Sequence, residues 1–160
     1  MEPLFGKAPG LKRIFSMRVR MSERVESGES PLGRRSFNGT DGGVFEGDHL
    51  RGTVHAGAAD WMLTRPDGVN VIDARVMLIT DDGAAIYMNY GGRAIVPPEL
   101  LPQVRDPARR GGVDPATYYF RTTPAFETGA PAYAWLNDVV AVGAGRLLPE
   151  GLGYDVFQVL

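Results

Sequence analysis

Hydrophobic and polar residues alternate along several short stretches of this chain, and each such stretch predicts a β-strand. In Phe15-Ser16-Met17-Arg18-Val19-Arg20-Met21 the alternation holds at every step, so a period of two places Phe15, Met17, Val19 and Met21 on one face. Leu50 to Ala56 alternates in the same way. The polar, Gly-rich segment Ser27 to Gly43 between them reads as a loop, with one short strand near Arg35 to Phe37. Trp61 to Thr64, the turn Arg65-Pro66-Asp67-Gly68, and Val69 to Thr80 read as strand, tight turn, strand. Thr80-Asp81-Asp82-Gly83 repeats the device before Ala84 to Tyr90, so three consecutive antiparallel strands are predicted.

Pro97-Pro98-Glu99-Leu100-Leu101-Pro102 starts a short helical turn, expected near residues 98–104, because Pro102 limits its extension. Val104 to Pro115 is a long connection, the kind that serves as a lid or binding loop. A strand over Thr117 to Thr123, a turn-rich stretch from Pro124 to Pro131, an apolar run from Tyr133 to Val142, and a last strand over Tyr154 to Leu160 complete the pattern. Seven or eight antiparallel strands predict an all-β chain, a closed barrel or a sandwich, and we read a single antiparallel β-barrel.

Composition narrows the chemistry. The 160 residues suit one domain, 1–160, with residues 1–10 expected to be a loosely ordered N-terminal segment. The absence of cysteine excludes disulfides, thiolate metal sites and a cysteine nucleophile, and two histidines, His49 and His55, argue against a multi-histidine metal centre. No metal and no cofactor are therefore expected. A net charge of −2 gives no reason to expect a nucleic acid partner. No run of apolar residues is long enough for a membrane span and no secretion signal is evident, so a cytoplasmic protein is expected.

If the two turns are three-residue loops with a bulge, Arg65 lies opposite Val69, Thr80 opposite Ala84, Trp61 opposite Asp73, and Arg75 opposite Asn89. One face then carries Trp61, Leu63, Asp73, Arg75, Met77, Tyr87 and Asn89. The other carries Met62, Ile72, Ala74, Val76, Leu78, Ile86, Met88 and Tyr90, with Asp60 at its end. Small-molecule pockets have apolar walls with a few fixed polar groups, and the mixed face has that character. We expect it to line the barrel interior. The competing reading makes Asp73 and Arg75 a structural ion pair on a wetter outer surface.

Tyr118-Tyr119-Phe120-Arg121 and Tyr133-Ala134-Trp135-Leu136-Asn137 pair flat apolar bodies with hydrogen-bonding handles, which suits an aromatic ligand as well as a core. Arg121 suits a carboxylate or phenolate ligand, or else a pairing with Glu127. His55 reads as a solvated side chain rather than a base. The glycine clusters Gly39-Thr40-Asp41-Gly42-Gly43 and Gly91-Gly92 match no phosphate-binding fingerprint, and no nucleophile elbow is present.

Gly57-Ala58-Ala59-Asp60-Trp61, Arg65-Pro66-Asp67-Gly68, Asp73-Ala74-Arg75 and Thr80-Asp81-Asp82-Gly83 together resemble the bacterial and fungal family known as domain of unknown function 3237. Tyr118 to Thr122, Phe126-Glu127-Thr128-Gly129 and Tyr133 to Asn137 extend the resemblance to nearly the whole chain from Phe15. The resemblance implies a small antiparallel β-barrel similar in shape to allene oxide cyclase and, more distantly, to calycins. It implies no particular activity. The chain departs from the usual pattern at Asn38-Gly39-Thr40-Asp41 and at His55-Ala56, both expected at barrel-rim loops, which points to a ligand choice of its own.

Three functional classes fit these residues. The first is a cofactor-free lyase, isomerase or cyclase acting by proton transfer on an apolar or aromatic molecule. Asp73, Tyr118 and Arg121 are its expected catalytic groups, with Asp73 as base. Asp60, Trp61, Arg75, Tyr87, Asn89 and Trp135 are its expected substrate contacts. The second class is a carrier or sensor of the same ligand without chemistry. The third is a self-associating module whose aliphatic face is an interface. A homo-oligomer is expected.

Overall fold

The alternating strands pair into one antiparallel sheet that closes on itself. The computed structural model describes residue 6 and residues 8–160, so the larger part of the expected N-terminal segment lies outside the described residues. Among the described residues there are ten strands: β1 (Leu11–Ser30), β2 (Gly33–Glu46), β3 (Arg51–Val54), β4 (Ala59–Asp60), β5 (Leu63–Thr64), β6 (Asn70–Thr80), β7 (Ala85–Ile95), β8 (Tyr119–Glu127), β9 (Ala141–Leu148) and β10 (Gly151–Val159). Pairing runs β1-β10-β9-β8-β7-β6, then through the short segments β3, β4 and β5 to β2, and the β1–β2 pairing completes the circuit. Because β3, β4 and β5 together form one interrupted stave, the barrel has eight.

The central hairpins have the expected register. The Arg65 N–H donates to the Val69 carbonyl at 3.0 Å, the Thr80 N–H to that of Ala84 at 2.9 Å, and Gly68 and Gly83 hold the positive φ that these turns require. The Trp61 N–H donates to the Asp73 carbonyl at 2.8 Å, and Arg75 stands opposite Asn89. The choice of inner face is the reverse of the expectation. Ile72, Ala74, Val76 and Leu78 on β6 and Ile86, Met88 and Tyr90 on β7 are buried inside the barrel, whereas Arg75 and Met77 are exposed. A closed lumen gives buried side chains no water, so the face with fewer charges goes inside.

Other expectations change, and the stretch from Pro124 to Pro131, expected to be turn-rich, is strand as far as Glu127 because β7 pairs with it throughout. Ser27 to Gly43 is strand rather than loop, because β1 and β2 continue as a long twisted ribbon, with Arg24 opposite Asn38 and Glu26 opposite Ser36. Its polar composition reflects an exposed β1 arm and an inward β2 face made of Ser36, Asn38 and Thr40. Pro131–Asp138 is a 3-10 helix, so the apolar run from Tyr133 becomes strand only at Ala141. The expected helical turn forms as a 3-10 turn over Pro98–Leu100 followed by α1 (Leu101–Arg105). α2 (Pro107–Arg110) and a second 3-10 turn (Pro115–Thr117) then lead to β8. Leu100, Val104 and Val113 from this connection pack against the core.

Phe15 anchors one part of that core. It is fully buried, with its ring edge-to-face against Phe45 at 5.6 Å and Phe126 at 6.0 Å, so it joins β1, β2 and β8. Phe15→Ala is expected to destabilise the barrel by about 3–5 kcal/mol, measured as a lowered denaturation midpoint in urea with an unchanged slope.

Candidate functional site

Asp60 is the carboxylate that the fold carries inward. On β4 it pairs with Asn38 of β2 on one side and Ala74 of β6 on the other, and both neighbours are buried. Strand alternation then turns Trp61 outward, onto the Phe37 ring at 5.0 Å. The segment is pinned on three sides. Asp60 Oδ1 accepts from the Asp73 N–H at 2.9 Å, Asn38 Nδ2 donates to the Asp60 carbonyl at 3.3 Å and to Ser36 Oγ at 3.0 Å, and Arg35 Nη1 donates to the Trp61 carbonyl at 2.6 Å.

Around Asp60 lies a cavity of about 20 Å³, lined by Val19, Met21, Asn38, Thr40, Ala59, Val76, Tyr90, Leu152 and Tyr154. Burial pushes the Asp60 carboxyl up from its ordinary 3.8 to about 6. The hydrogen bond from Asp73 opposes this, the charge of Asp73 adds to it, and Arg35 counteracts it. Tyr90 and Tyr154 are buried with ring centres 5.6 Å apart, and burial pushes both phenols above the ordinary value, so they remain protonated donors at neutral pH. Thr40 Oγ1 is buried with no hydrogen-bond partner among the described residues.

The backbone is irregular at this place. Val19 pairs with Gly43 and Met21 with Thr40, so two residues of β2, Asp41 and Gly42, stand against one of β1. Gly42 has φ +85°, and a Cβ on Gly43 would lie 2.0 Å from the Arg18 carbonyl oxygen. The glycine pair is what lets the ribbon bend there, and bulges of this kind re-aim side chains at barrel rims and active sites.

Of the residues singled out from sequence, Asp60 alone lines this cavity. Asp73 and Arg75 form an ion pair at 3.0 Å on the outer wall, with both side chains at least half exposed, which is the competing arrangement of the sequence reading. Trp61, Tyr87 and Asn89 share that outer face. Arg121 is also external, donating to the Phe120 carbonyl at 2.8 Å and lying 5.4 Å from the Tyr119 ring centre, beside an open groove of about 500 Å³. It makes no ion pair with Glu127. Tyr118 is buried, but its hydroxyl accepts from the Leu147 N–H at 3.0 Å and takes no part in the lining around Asp60. Trp135 belongs to the 3-10 helix and borders an outer recess with Arg13, His49 and Gln158. His55 is exposed.

The groups missed from sequence are Met21, Asn38, Thr40, Tyr90 and Tyr154. Tyr90 carried a signal, since it ends the aliphatic face on which Asp60 also falls. Asn38 and Thr40 carry none, because the polar, Gly-rich stretch around them has a loop's composition and becomes strand only by pairing with β1 and β4. Among the described residues no cluster of three or more His, Asp or Glu could hold a metal ion, and no helix is long and apolar enough to cross a membrane.

Comparison with known proteins agrees with this architecture. Residues 9–159 match the family described as protein of unknown function (DUF3237), and the chain belongs to that family. A UPF0311 protein of Rhodopseudomonas palustris is 35% identical over 149 residues, covering 93% of this chain and 95% of the relative. A crystal structure of a conserved protein of unknown function from the same organism superposes with a TM-score of 0.87 at 34% identity, over 96% of this chain and 99% of the other. A beta-barrel like protein of Acinetobacter baumannii gives 0.81 at 34% identity, over 96% and 98%. An enzyme of Penicillium herquei shares the fold at 0.73 and 22% identity, over 100% and 98%.

The raised carboxyl of Asp60 has a measurable consequence. Between about pH 4 and pH 6 the folded state binds more protons at this group than the unfolded state, so its contribution to stability falls as pH rises through that window. Asp60→Asn removes the effect. Relative to wild type the variant is expected to gain up to about 3 kcal/mol on going from pH 4 to pH 7.5, read from urea denaturation at both values. Equal pH dependence in the two proteins would contradict the burial argument.

Proposed function

We propose that this member of the DUF3237 family is a cofactor-independent enzyme that moves a proton on an apolar substrate held at the Asp60 end of the barrel. The observation that carries the reading is a lumenal carboxyl whose proton affinity burial sets at about 6, with two protonated phenols lining the same cavity. The ionised Asp60 takes a proton from carbon beside a carbonyl. The electron pair of that C–H bond moves to the carbonyl oxygen, and a tyrosine or threonine hydroxyl donates to the developing oxyanion. Return of the proton at another carbon gives isomerisation, and collapse of the enolate with loss of a leaving group gives a lyase step. In this reading the base is Asp60 rather than Asp73, whose exposed ion pair with Arg75 leaves it in water. The Penicillium herquei enzyme has the same fold, so the architecture is one that an enzyme uses.

A second reading, the self-associating module, draws on the close packing of the lumen, where the cavity holds about one water molecule. Its interface would be the outer wall around Trp61 and Met77, both exposed, rather than the buried aliphatic face. Sedimentation at micromolar concentration tests it, with Trp61→Ala expected to shift the protein toward monomer.

Proton transfer can be assayed before the natural substrate is identified. In deuterated water the protein is expected to speed exchange of the α-protons of small cyclic ketones above the buffer rate, followed by proton NMR. Asp60→Asn should lower that acceleration by about a hundredfold, whereas Asp73→Asn should keep it within about threefold. No acceleration across the ketone panel, or full activity in Asp60→Asn, would reject the catalytic role.

A further inference from the structure

The walls of the Asp60 cavity restrict the charge of what it binds. Among the described residues no lysine, arginine or histidine lines it, and the three ionisable groups that do, Asp60, Tyr90 and Tyr154, are all shifted toward their neutral forms by burial. The arginines that could have anchored an anion, Arg75 and Arg121, lie on the outside of the barrel, paired with Asp73 and with the Phe120 carbonyl. An anionic ligand would have to shed its water with no counter-charge to meet, and would face Asp60 besides. An ammonium ligand would meet one carboxylate, but it brings three N–H donors into walls made largely of Val19, Met21, Val76 and Leu152. A neutral hydroxyl or carbonyl oxygen asks for one or two hydrogen bonds. Thr40 Oγ1, buried and without a hydrogen-bond partner among the described residues, can donate one, and Asp60 can accept the other from a hydroxyl.

We propose that the ligand of this site is an uncharged, apolar molecule bearing a single hydroxyl or carbonyl oxygen, which accepts a hydrogen bond from Thr40 Oγ1, a hydroxyl also donating to Asp60. This rests on the lumen being the binding site, as in the preceding reading, and goes further in naming the ligand class and the residue that makes room. Met21 is that residue. It is half-buried, unbranched and flexible, and it sits opposite Thr40 with irregular register on both sides. A ligand larger than water takes the space that the Met21 side chain vacates.

Phenol, benzoate and benzylammonium share one ring and differ in charge, so they serve as probes at pH 7.5 with the full-length protein. Binding is followed by the methyl resonances of 13C-methyl methionine, the Met21 signal being assigned through Met21→Leu. Phenol is expected to shift the Met21 methyl saturably, with benzoate and benzylammonium at least about tenfold weaker at that signal. Thr40→Val should weaken phenol by about threefold to tenfold, while Thr40→Ser, which keeps the hydroxyl, should bind like wild type. Benzoate or benzylammonium binding as tightly as phenol would overturn the proposal. So would a Met21 methyl unmoved by any probe, or a Thr40→Val protein that remains folded and binds phenol undiminished. The assay needs no turnover. Phenol binding as described, alongside undiminished ketone exchange in Asp60→Asn, would reject the catalytic reading and leave this one standing.

Discussion

Closure of the sheet through the β1–β2 pairing is the constraint from which the other features follow. An open sheet can leave both faces partly wet, but a closed circuit of strands divides every stave into residues that meet water and residues that cannot. Side chains alternate with a period of two, so the division is made once for each continuous stretch of strand and carries all of its residues with it. On β6 and β7 it sends Ile72, Ala74, Val76, Leu78, Ile86 and Met88 inside and leaves Asp73 and Arg75 to pair in solvent. The edge-to-face cluster of Phe15, Phe45 and Phe126 fills the lumen where the wall is entirely apolar.

Polarity enters the lumen where the wall is irregular. The third stave is broken into β3, β4 and β5, and the bulge at Asp41-Gly42 bends β2 beside β1. These interruptions let Asn38, Thr40 and Asp60 face inward together, each strand contributing side chains that a regular apolar wall would exclude. Tyr90 and Tyr154 join them from β7 and β10. The result is a small polar cluster in a largely hydrocarbon interior, whose other buried polar side chains are Thr80 and Thr122. Burial raises the proton affinity of Asp60 there, because its charge is poorly solvated and the positive charge of Arg35 offsets only part of the loss. The polar groups of the outer wall, though more numerous, remain in contact with water.

Much of the fold was legible along the chain, because its signals are local. Pro66-Asp67-Gly68 and Asp81-Asp82-Gly83 specify tight turns through the backbone angles of three residues, and those turns set the register from Trp61 to Tyr90 without help from the rest of the molecule. The helical turns at Pro98 and Pro102 are local in the same way, although Pro102 stands in the first turn of α1, where the fixed φ of proline is accommodated, rather than ending it. The β1–β2 ribbon was not legible. Ser36, Asn38 and Thr40 form strand because β1 and the segments β4 and β5 bond to their backbone, and of their side chains only that of Thr40 favours it. The place of Asp60 at the end of the aliphatic face is local information, whereas its burial depends on which face the closed barrel seals.

The sequence by itself therefore determined the central strands, their turns and pairing, and which of their residues share a face, since each depends on neighbours a few positions apart. It also excluded thiol chemistry, because there is no cysteine. Only the tertiary structure decided which of the two faces is sealed from water and which distant segment brings Thr40, Tyr90 and Tyr154 to Asp60. Solvation is a property of the closed barrel as a whole: the same aspartate is an ordinary carboxylate on the wall and a tuned acid in the lumen.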